Sequence, residues 1–222
     1  IEGTIFEIEE AKSIIETEKP ILNRNEDSHD ILGTYRIVSN KQEMSITPSN
    51  AEEFIKIMQY RHQILLGSRI SKKPGEFKDK NNRAGETYFV DHNLVRGTLI
   101  KGFDFYQALV DPFAKAAYIM FMISEVHPFL DGNGRIARVM MNAELVKTGQ
   151  TRIIIPTVYR DDYLGALRRL TRNQDPSVYI KMLQYAQEFC ETLNAENMDK
   201  LEWHLELSNA FKEHDEAKLK II

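Results

Sequence analysis

The chain has 222 residues, of which 42% are hydrophobic and 28% are charged, and its formal net charge at pH 7 is −4. This composition is typical of a folded globular domain, and the mild acidity without a long basic cluster argues against a nucleic-acid partner. The single cysteine, Cys190, excludes an internal disulfide framework and a cysteine-based zinc cage. It fits a reducing compartment, so we expect a cytoplasmic protein.

Helix starts are marked along the chain by capping side chains that stand directly before a proline, at Thr47-Pro48, Asp111-Pro112 and Asp175-Pro176. Ser49 and Glu52 have the spacing of a capping box. Apolar residues at helical intervals predict helices over about 49–67, 112–126, 135–149, 161–170, 176–193 and 197–220. The most apolar stretch, 113–126, contains charged residues and is too short to span a membrane, so no membrane association is expected.

One segment has a different composition. Residues 74–98 are rich in Gly, Lys, Asn and Asp, and they include the β-prone run from Thr87 to Val90 and a turn-like Asp91-His92-Asn93. We predict a loop with a small β-hairpin here. With no convincing linker in the sequence, we expect a mainly α-helical single domain over 1–222. It would comprise an N-terminal region (1–46), a core (47–195) and a C-terminal helix (196–222).

The run from His127 to Arg138, HPFLDGNGRIAR, follows the second predicted helix and has the composition of a phosphate site. Gly132 and Gly134 flank Asn133, and we expect positive φ angles at the glycines to turn backbone N–H groups inward as an anion nest. That nest would lie at the positive N-terminus of the next helix. Arg135 and Arg138 share one face of that helix and could grip further phosphate oxygens bidentately.

Two other side chains of this run suit catalysis. Histidine is the side chain whose ordinary pKa lies nearest to neutral pH, so His127 can take a proton from an attacking hydroxyl and is the candidate general base. Asp131 is a hard oxygen donor of the kind that binds Mg²⁺ together with substrate phosphates and waters. Singly, a His-Pro loop, an Asn between glycines and two helical arginines are each ordinary surface features. Their combination in twelve residues favours the site.

The run resembles the Fic family pattern HxFx(D/E)GNGRxxR and fills every specified position. These positions are His127, Phe129, Asp131, Gly132, Asn133, Gly134, Arg135 and Arg138. The resemblance implies a Fic fold, a helical bundle around the motif helix pair with a small β-hairpin flap. Fic proteins typically transfer AMP from ATP to a Ser, Thr or Tyr hydroxyl of another protein. In this family Phe129 would be a core anchor and not a catalytic group.

The resemblance also implies a role for each polar position. His127 would act as the base and Asp131 would bind the metal. Asn133 and the amides of the flanking glycines would surround the α- and β-phosphates. Arg135 and Arg138 would hold the outer phosphates.

The flap of Fic proteins lies upstream of the motif helix and holds the target segment by β-augmentation. Here it would comprise Thr87, Tyr88, Phe89 and Val90, and His92 could touch the substrate. An ordinary surface hairpin with a solvated histidine is the alternative.

Many Fic proteins carry an inhibitory pattern, (S/T)xxxE(G/N), whose glutamate pairs with the second motif arginine. Ile1-Glu2-Gly3-Thr4 resembles its end, although the Ser or Thr that should precede Glu2 by four positions lies outside this chain. Thr192 to Asn197 fits the pattern completely and offers Glu196. We favour Glu2 because Ile-Glu-Gly-Thr is the sequence that Fic proteins commonly have at the N-terminal inhibitory site. A frayed terminus and a solvated helix end are the alternatives.

The sequence therefore predicts a protein adenylyltransferase that binds ATP with Mg²⁺ and modifies a protein hydroxyl, its own included. The same site could use another nucleotide, or remove AMP with the inhibitory glutamate orienting a water. Outside the enzymes, a nucleotide-gated binding module with negligible turnover is the alternative. The sequence does not determine the target or whether the chain forms a homo-oligomer.

Overall fold

A computed structural model describes residues 6–193 and 195–222, and most of them are helical. Within these residues the helices are α1 (Ile8–Thr17), α2 (Asn25–Val38), α3 (Ala51–Leu65), α4 (Val95–Ala108), α5 (Pro112–Val126), α6 (Asn133–Lys147), α7 (Arg160–Asn173), α8 (Ser177–Thr192) and α9 (Met198–Leu207). Two short strands, β1 (Arg83–Ala84) and β2 (Thr87–Tyr88), pair antiparallel with Arg83 opposite Tyr88. The prediction of a mainly α-helical fold with one small hairpin is confirmed.

The chain forms two compact units. The first contains the described residues up to Gly149, with α1–α6 and the hairpin, and the second contains Gln150–Ile222, with α7–α9. The predicted division at residues 46 and 195 stays a prediction.

In the first unit, α5 packs more extensively against α6 than any other two elements pack together. Asp111 caps α5 by accepting the N–H of Ala114 at 2.7 Å, and Pro112 occupies the first helical position. The apolar residues of α5 and α6 form much of the core of this unit, as Met120, Ile123 and Ile136 show by their burial. Residues 127–132, which we call the motif loop, join the ends of these two helices.

The second unit has its own apolar core, which contains Val158, Phe189, Ala210 and Leu219. The predicted last helix, 197–220, is wrong in its second half. Asn209 adopts a left-handed backbone conformation (φ 61°), and its side chain donates to the carbonyl of Lys218. The tail therefore folds back after α9. Within the described parts of both units, no helix has the length and apolar character needed to cross a membrane.

The first predicted helix start is displaced by one residue. Asn50, not Ser49, caps α3, because the side chain of Asn50 accepts the N–H of Glu53 at 2.9 Å. Ser49 bonds instead to the Glu53 carboxylate. The predicted capping box with Glu52 is therefore wrong, although the helix itself is present.

Helices α1, α2 and α4 were not predicted. Their N-cap residues are Glu7, Arg24 and Leu94, which are not among the usual capping types. Helix α4 even begins inside the segment 74–98 that was predicted to be a loop. The short hairpin of that segment is present, and we call residues 83–90 the flap.

Candidate active site

His127 lies where α5 ends, and its backbone sets the start of the motif loop. Its conformation is left-handed (φ 49°, ψ 59°), and its N–H donates to the carbonyl of Ile123 at 2.9 Å. The ring Nδ1 lies 3.1 Å from the carbonyl oxygen of Ser124. A carbonyl only accepts, so Nδ1 carries the ring proton of the neutral imidazole and Nε2 keeps the lone pair. This is the tautomer that a general base requires.

The flap covers one face of this ring. Phe89 stacks on the His127 imidazole with ring centroids 3.7 Å apart and planes 5° apart. Of the four residues predicted to form the flap strand, Thr87 and Tyr88 lie in β2, and Phe89 and Val90 follow it. Their role in docking a target stays a prediction.

The loop reaches α6 through Gly132, the residue that precedes the helix, whose φ of 72° favours glycine. A Cβ there would lie 2.7 Å from Cδ1 of Leu66. The expectation of positive φ at both motif glycines is wrong for Gly134. It lies in the first turn of α6, which begins at Asn133, two residues earlier than predicted. The first N–H groups of any α-helix point out of its N-terminal end, which makes this end suited to an anion.

The side chain of Asn133 is committed to the loop. Its Oδ1 accepts the N–H of Phe129 at 2.8 Å, and its Nδ2 donates to the Phe129 carbonyl at 2.8 Å. Asn133 and Phe129 are both buried, so Phe129 has the core position expected of an anchor. For the predicted phosphate role, Asn133 therefore offers the backbone N–H of a helix first turn.

Asp131 stands beside this helix start with a side chain that is 36% exposed. Its Oδ1 accepts the N–H of Gly132 at 2.7 Å and lies 3.8 Å from Nη2 of Arg135. In the part of the chain that the structure describes, no group of three or more His, Cys, Asp or Glu side chains is placed to hold a metal ion. The donor set fits Mg²⁺ only if substrate phosphates and waters supply the other ligands, a coordination common for this ion.

Arg135 is matched by a carboxylate that the sequence analysis missed. Its Nη1 lies 2.5 Å from Oδ2 of Asp30, on α2, and the same oxygen accepts from Nε of Arg69 at 2.8 Å. Asp30 is buried at 2% exposure. Arg138 lies three residues further along α6 and is half-buried. No local pattern marks Asp30, because it lies 105 residues before Arg135 in the chain.

His62, on α3, is a second residue that the sequence analysis did not identify, and it contacts the motif loop. It is buried, its Nε2 lies 2.9 Å from the Asp131 carbonyl oxygen, and its Nδ1 accepts the N–H of Gly75 at 2.9 Å. Its ring stacks on Phe129 at a centroid distance of 3.7 Å. Burial lowers the pKa of His62 to about 4, so the ring is neutral and donates from Nε2.

The remaining predicted residues lie elsewhere. Glu2 is outside the described residues. Glu196 is exposed and forms an ion pair with Lys200 within the second unit. Nδ1 of His92 lies 3.0 Å from Oδ1 of Asn81, and both residues lie next to the ends of the flap.

Comparison with protein families identifies the same region. Residues 48–145 match the model described as the Fic/DOC family. Relatives named "Protein adenylyltransferase Fic" occur in Drosophila willistoni, 29% identical over 185 residues, and in Drosophila melanogaster, 26% identical over 190 residues. Each alignment covers 76% of this chain, but the chain spans only about a third of their length (34% and 35%).

Solved structures share the fold. Fic-1 from C. elegans superimposes with a TM-score of 0.68 at 18% identity, over 94% of this chain and 60% of that one. A Fic domain containing signaling protein from Bacteroides thetaiotaomicron also gives 0.68 at 18% identity, over 95% of this chain and 84% of that one. The Fic fold predicted from the motif is therefore confirmed.

Proposed function

Because the chain is a Fic domain protein, we propose that it is a protein adenylyltransferase, which moves AMP from ATP to a Ser, Thr or Tyr hydroxyl of a protein. The observation that carries this proposal is the His127 ring, whose Nδ1 donates to Ser124 and whose Nε2 therefore holds the lone pair. This base adjoins a helix N-terminus suited to phosphate. Relatives that bear the adenylyltransferase name support the choice of nucleotide.

In the proposed reaction, Nε2 of His127 takes the proton of the target hydroxyl as its oxygen attacks the α-phosphorus of ATP. A new oxygen–phosphorus bond forms, the bond between the α-phosphorus and the bridging oxygen breaks, and pyrophosphate leaves. The products are the AMP-modified protein and pyrophosphate. Positioning and charge stabilisation supply most of the acceleration in such chemistry.

The phosphates would be bound by groups that suit anions. The first-turn N–H groups of α6, from Asn133 onward, would face the α- and β-phosphates, and Arg135 and Arg138 would hold the outer oxygens. Asp131 would bind Mg²⁺, which when present neutralises charge on the phosphates. Arg135 keeps its ion pair with Asp30 in this arrangement and contributes the outer edge of its guanidinium.

The target would dock on the flap. The short strands at 83–84 and 87–88 leave an exposed edge, and an extended peptide can add to such an edge through backbone hydrogen bonds. Phe89, which stacks on His127, would have to shift for the target hydroxyl to approach that face of the ring.

The test offers the protein, alone and with a cell lysate, ATP labelled on either the α- or the γ-phosphate, with α-labelled UTP and GTP in parallel. Transfer of the α-label without the γ-label, with mass spectrometry showing added AMP, is the expected result. His127→Ala should slow transfer about 10²- to 10⁴-fold and leave ATP affinity nearly unchanged. Asp131→Ala should remove both activity and its Mg²⁺ dependence.

Other outcomes refute the proposal in distinct ways. Transfer only from UTP or GTP would assign another nucleotide to the same site. Release of AMP from an AMP-modified protein without net transfer would make the chain a hydrolase. Nucleotide binding without any turnover would leave a binding module.

The inhibitory glutamate belongs to the same proposal. A glutamate paired with Arg138 would block the seat of the γ-phosphate, and we favour Glu2 over Glu196, whose partner is Lys200 in the second unit. Glu2→Gly in a chain extended upstream of Ile1 should raise self-modification about 10- to 150-fold if the inhibited state dominates. Glu196→Gly should change little, and activation by Glu196→Gly alone would reverse the assignment.

A further inference from the structure

The carbonyl groups on both sides of His127 are bound by one short segment, residues 78–82. Nζ of Lys78 donates to the Val126 carbonyl at 3.3 Å, and the backbone N–H of Lys78 donates to the Pro128 carbonyl at 2.8 Å. Nδ2 of Asn82 lies 3.0 Å from the Phe129 carbonyl oxygen and 3.5 Å from that of His127. Four consecutive carbonyls, 126 to 129, thus face the same two residues.

The two residues also hold each other and the flap. Nζ of Lys78 donates to Oδ1 of Asn82 at 2.7 Å, which leaves the amide Nδ2 turned toward the motif loop. The Asn82 carbonyl accepts the N–H of Phe89 at 3.4 Å, and the Phe89 ring then stacks on His127. Phe89 therefore contacts Asn82 through its backbone and His127 through its ring.

Lys78 is a lysine in a buried position, which is rare for this residue type. Only 3% of the residue is exposed, and burial lowers the pKa of its amine to about 8. An amine is costly to bury unless it is hydrogen-bonded. Here its charge lies at the C-terminal end of α5, where the helix dipole favours a cation. An apolar residue could fill the space, but only a donor can bind the carbonyl that precedes His127.

We propose that Lys78 and Asn82 are positioning residues for His127, which hold the carbonyls around it and couple its placement to the flap. This inference rests on the proposed role of His127 as the base. His127 ends α5 in a left-handed conformation, so the position of its backbone depends on the bonds of the following loop as well as on the helix. A displacement of about 1 Å at a reacting group can cost about 10²-fold in rate.

The first experiment compares Asn82→Ala with Asn81→Ala. Asn81 is the matched control, because it also braces the flap, through His92 and Asp91, but has no bond to the motif loop in the described structure. Asn82→Ala should lower turnover about 10- to 100-fold and change the ATP dissociation constant by less than about threefold. Hydrogen exchange of peptides covering 123–133 should become faster than in Asn81→Ala.

The second comparison is Lys78→Met with Lys80→Met, since Lys80 is an exposed neighbour. Lys78→Met should reproduce the loss of protection in 123–133 and the fall in turnover at unchanged ATP affinity. If Asn82→Ala does not fold, Asn82→Asp replaces it, because the carboxylate keeps the shape and the bond from Lys78 but cannot donate to the Phe129 carbonyl.

The two readouts separate the possible failures. Equal exchange and equal turnover in Asn82→Ala and Asn81→Ala would overturn the positioning role. If turnover falls together with ATP affinity, the residues support the nucleotide site in general and the proposal is wrong. If the parent protein transfers no nucleotide, the proposed function fails, and the exchange contrast alone then decides whether residues 78–82 hold the loop.

Discussion

Asp30 forms buried ion pairs with two arginines, and replacing it measures how much these ion pairs stabilise the fold. It is buried, and its Oδ2 accepts from Arg69 at 2.8 Å and from Arg135 at 2.5 Å. Asp30→Asn keeps the shape of the side chain and removes its charge. The two guanidiniums would then share a site without the anion between them.

The expected loss of stability in Asp30→Asn depends on the acidic partners that each arginine keeps. Removing one partner of a buried ion pair costs about 3–5 kcal/mol. Arg69 keeps contacts to Asp27 at 2.5 Å and Glu26 at 3.1 Å, and Arg135 keeps the longer approach of Asp131 at 3.8 Å. Because both arginines keep an acidic neighbour, we expect a destabilisation at the lower end of this range, about 3 kcal/mol. This loss lowers the melting temperature of a chain of this size by about 6–12 °C.

The assay is thermal and urea unfolding of the parent, Asp30→Asn and the control Asp27→Asn. The side chain of Asp27 is 33% exposed, so its loss should cost less than about 1 kcal/mol although it contacts the same arginine. If the two variants melt together, the buried position of Asp30 carries no special energy, and the reasoning about its ion pairs is refuted.

Three further predictions address backbone, protonation and ligand. Gly132→Ala and Gly149→Ala both place a Cβ at φ 72°, which costs about 1–2 kcal/mol of stability in each variant. Only the Cβ of Gly132→Ala also meets Leu66, so this variant should unfold at a lower urea concentration. Equal urea midpoints for the two variants would contradict that contact. The pKa of Lys78, about 8, lies below its ordinary value of 10.5. Between these values the unfolded chain holds a proton that the native one has lost, so stability should rise by about 1–2 kcal/mol from pH 7.5 to 9.5, and by less in Lys78→Met. Arg138→Ala should weaken ATP more than AMP in calorimetry, because only ATP has outer phosphates, and equal losses would place Arg138 elsewhere.

The sequence by itself determined the features that depend on neighbouring residues. The start of α5 at Asp111-Pro112 follows from a capping side chain and a proline whose φ suits a first helical turn. The motif from His127 to Arg138 contains its own turn, because Gly132 permits the positive φ that brings the chain into α6. Such features need no distant partner, so a local pattern is enough to predict them.

Only the tertiary structure decided what surrounds those residues. His127 and Phe89 stack across 38 positions of chain, Arg135 meets Asp30 across 105, and His62 reaches the Asp131 carbonyl across 69. No spacing rule relates residues so far apart, since their contact depends on how α2, α3 and the flap pack around the α5–α6 pair. The same applies to the end of α9, where Asn209 turns the chain and donates to the Lys218 carbonyl of the returning tail. The reactive groups are thus set by local sequence, while folding supplies the distant side chains that contact them, Phe89, Asp30 and His62.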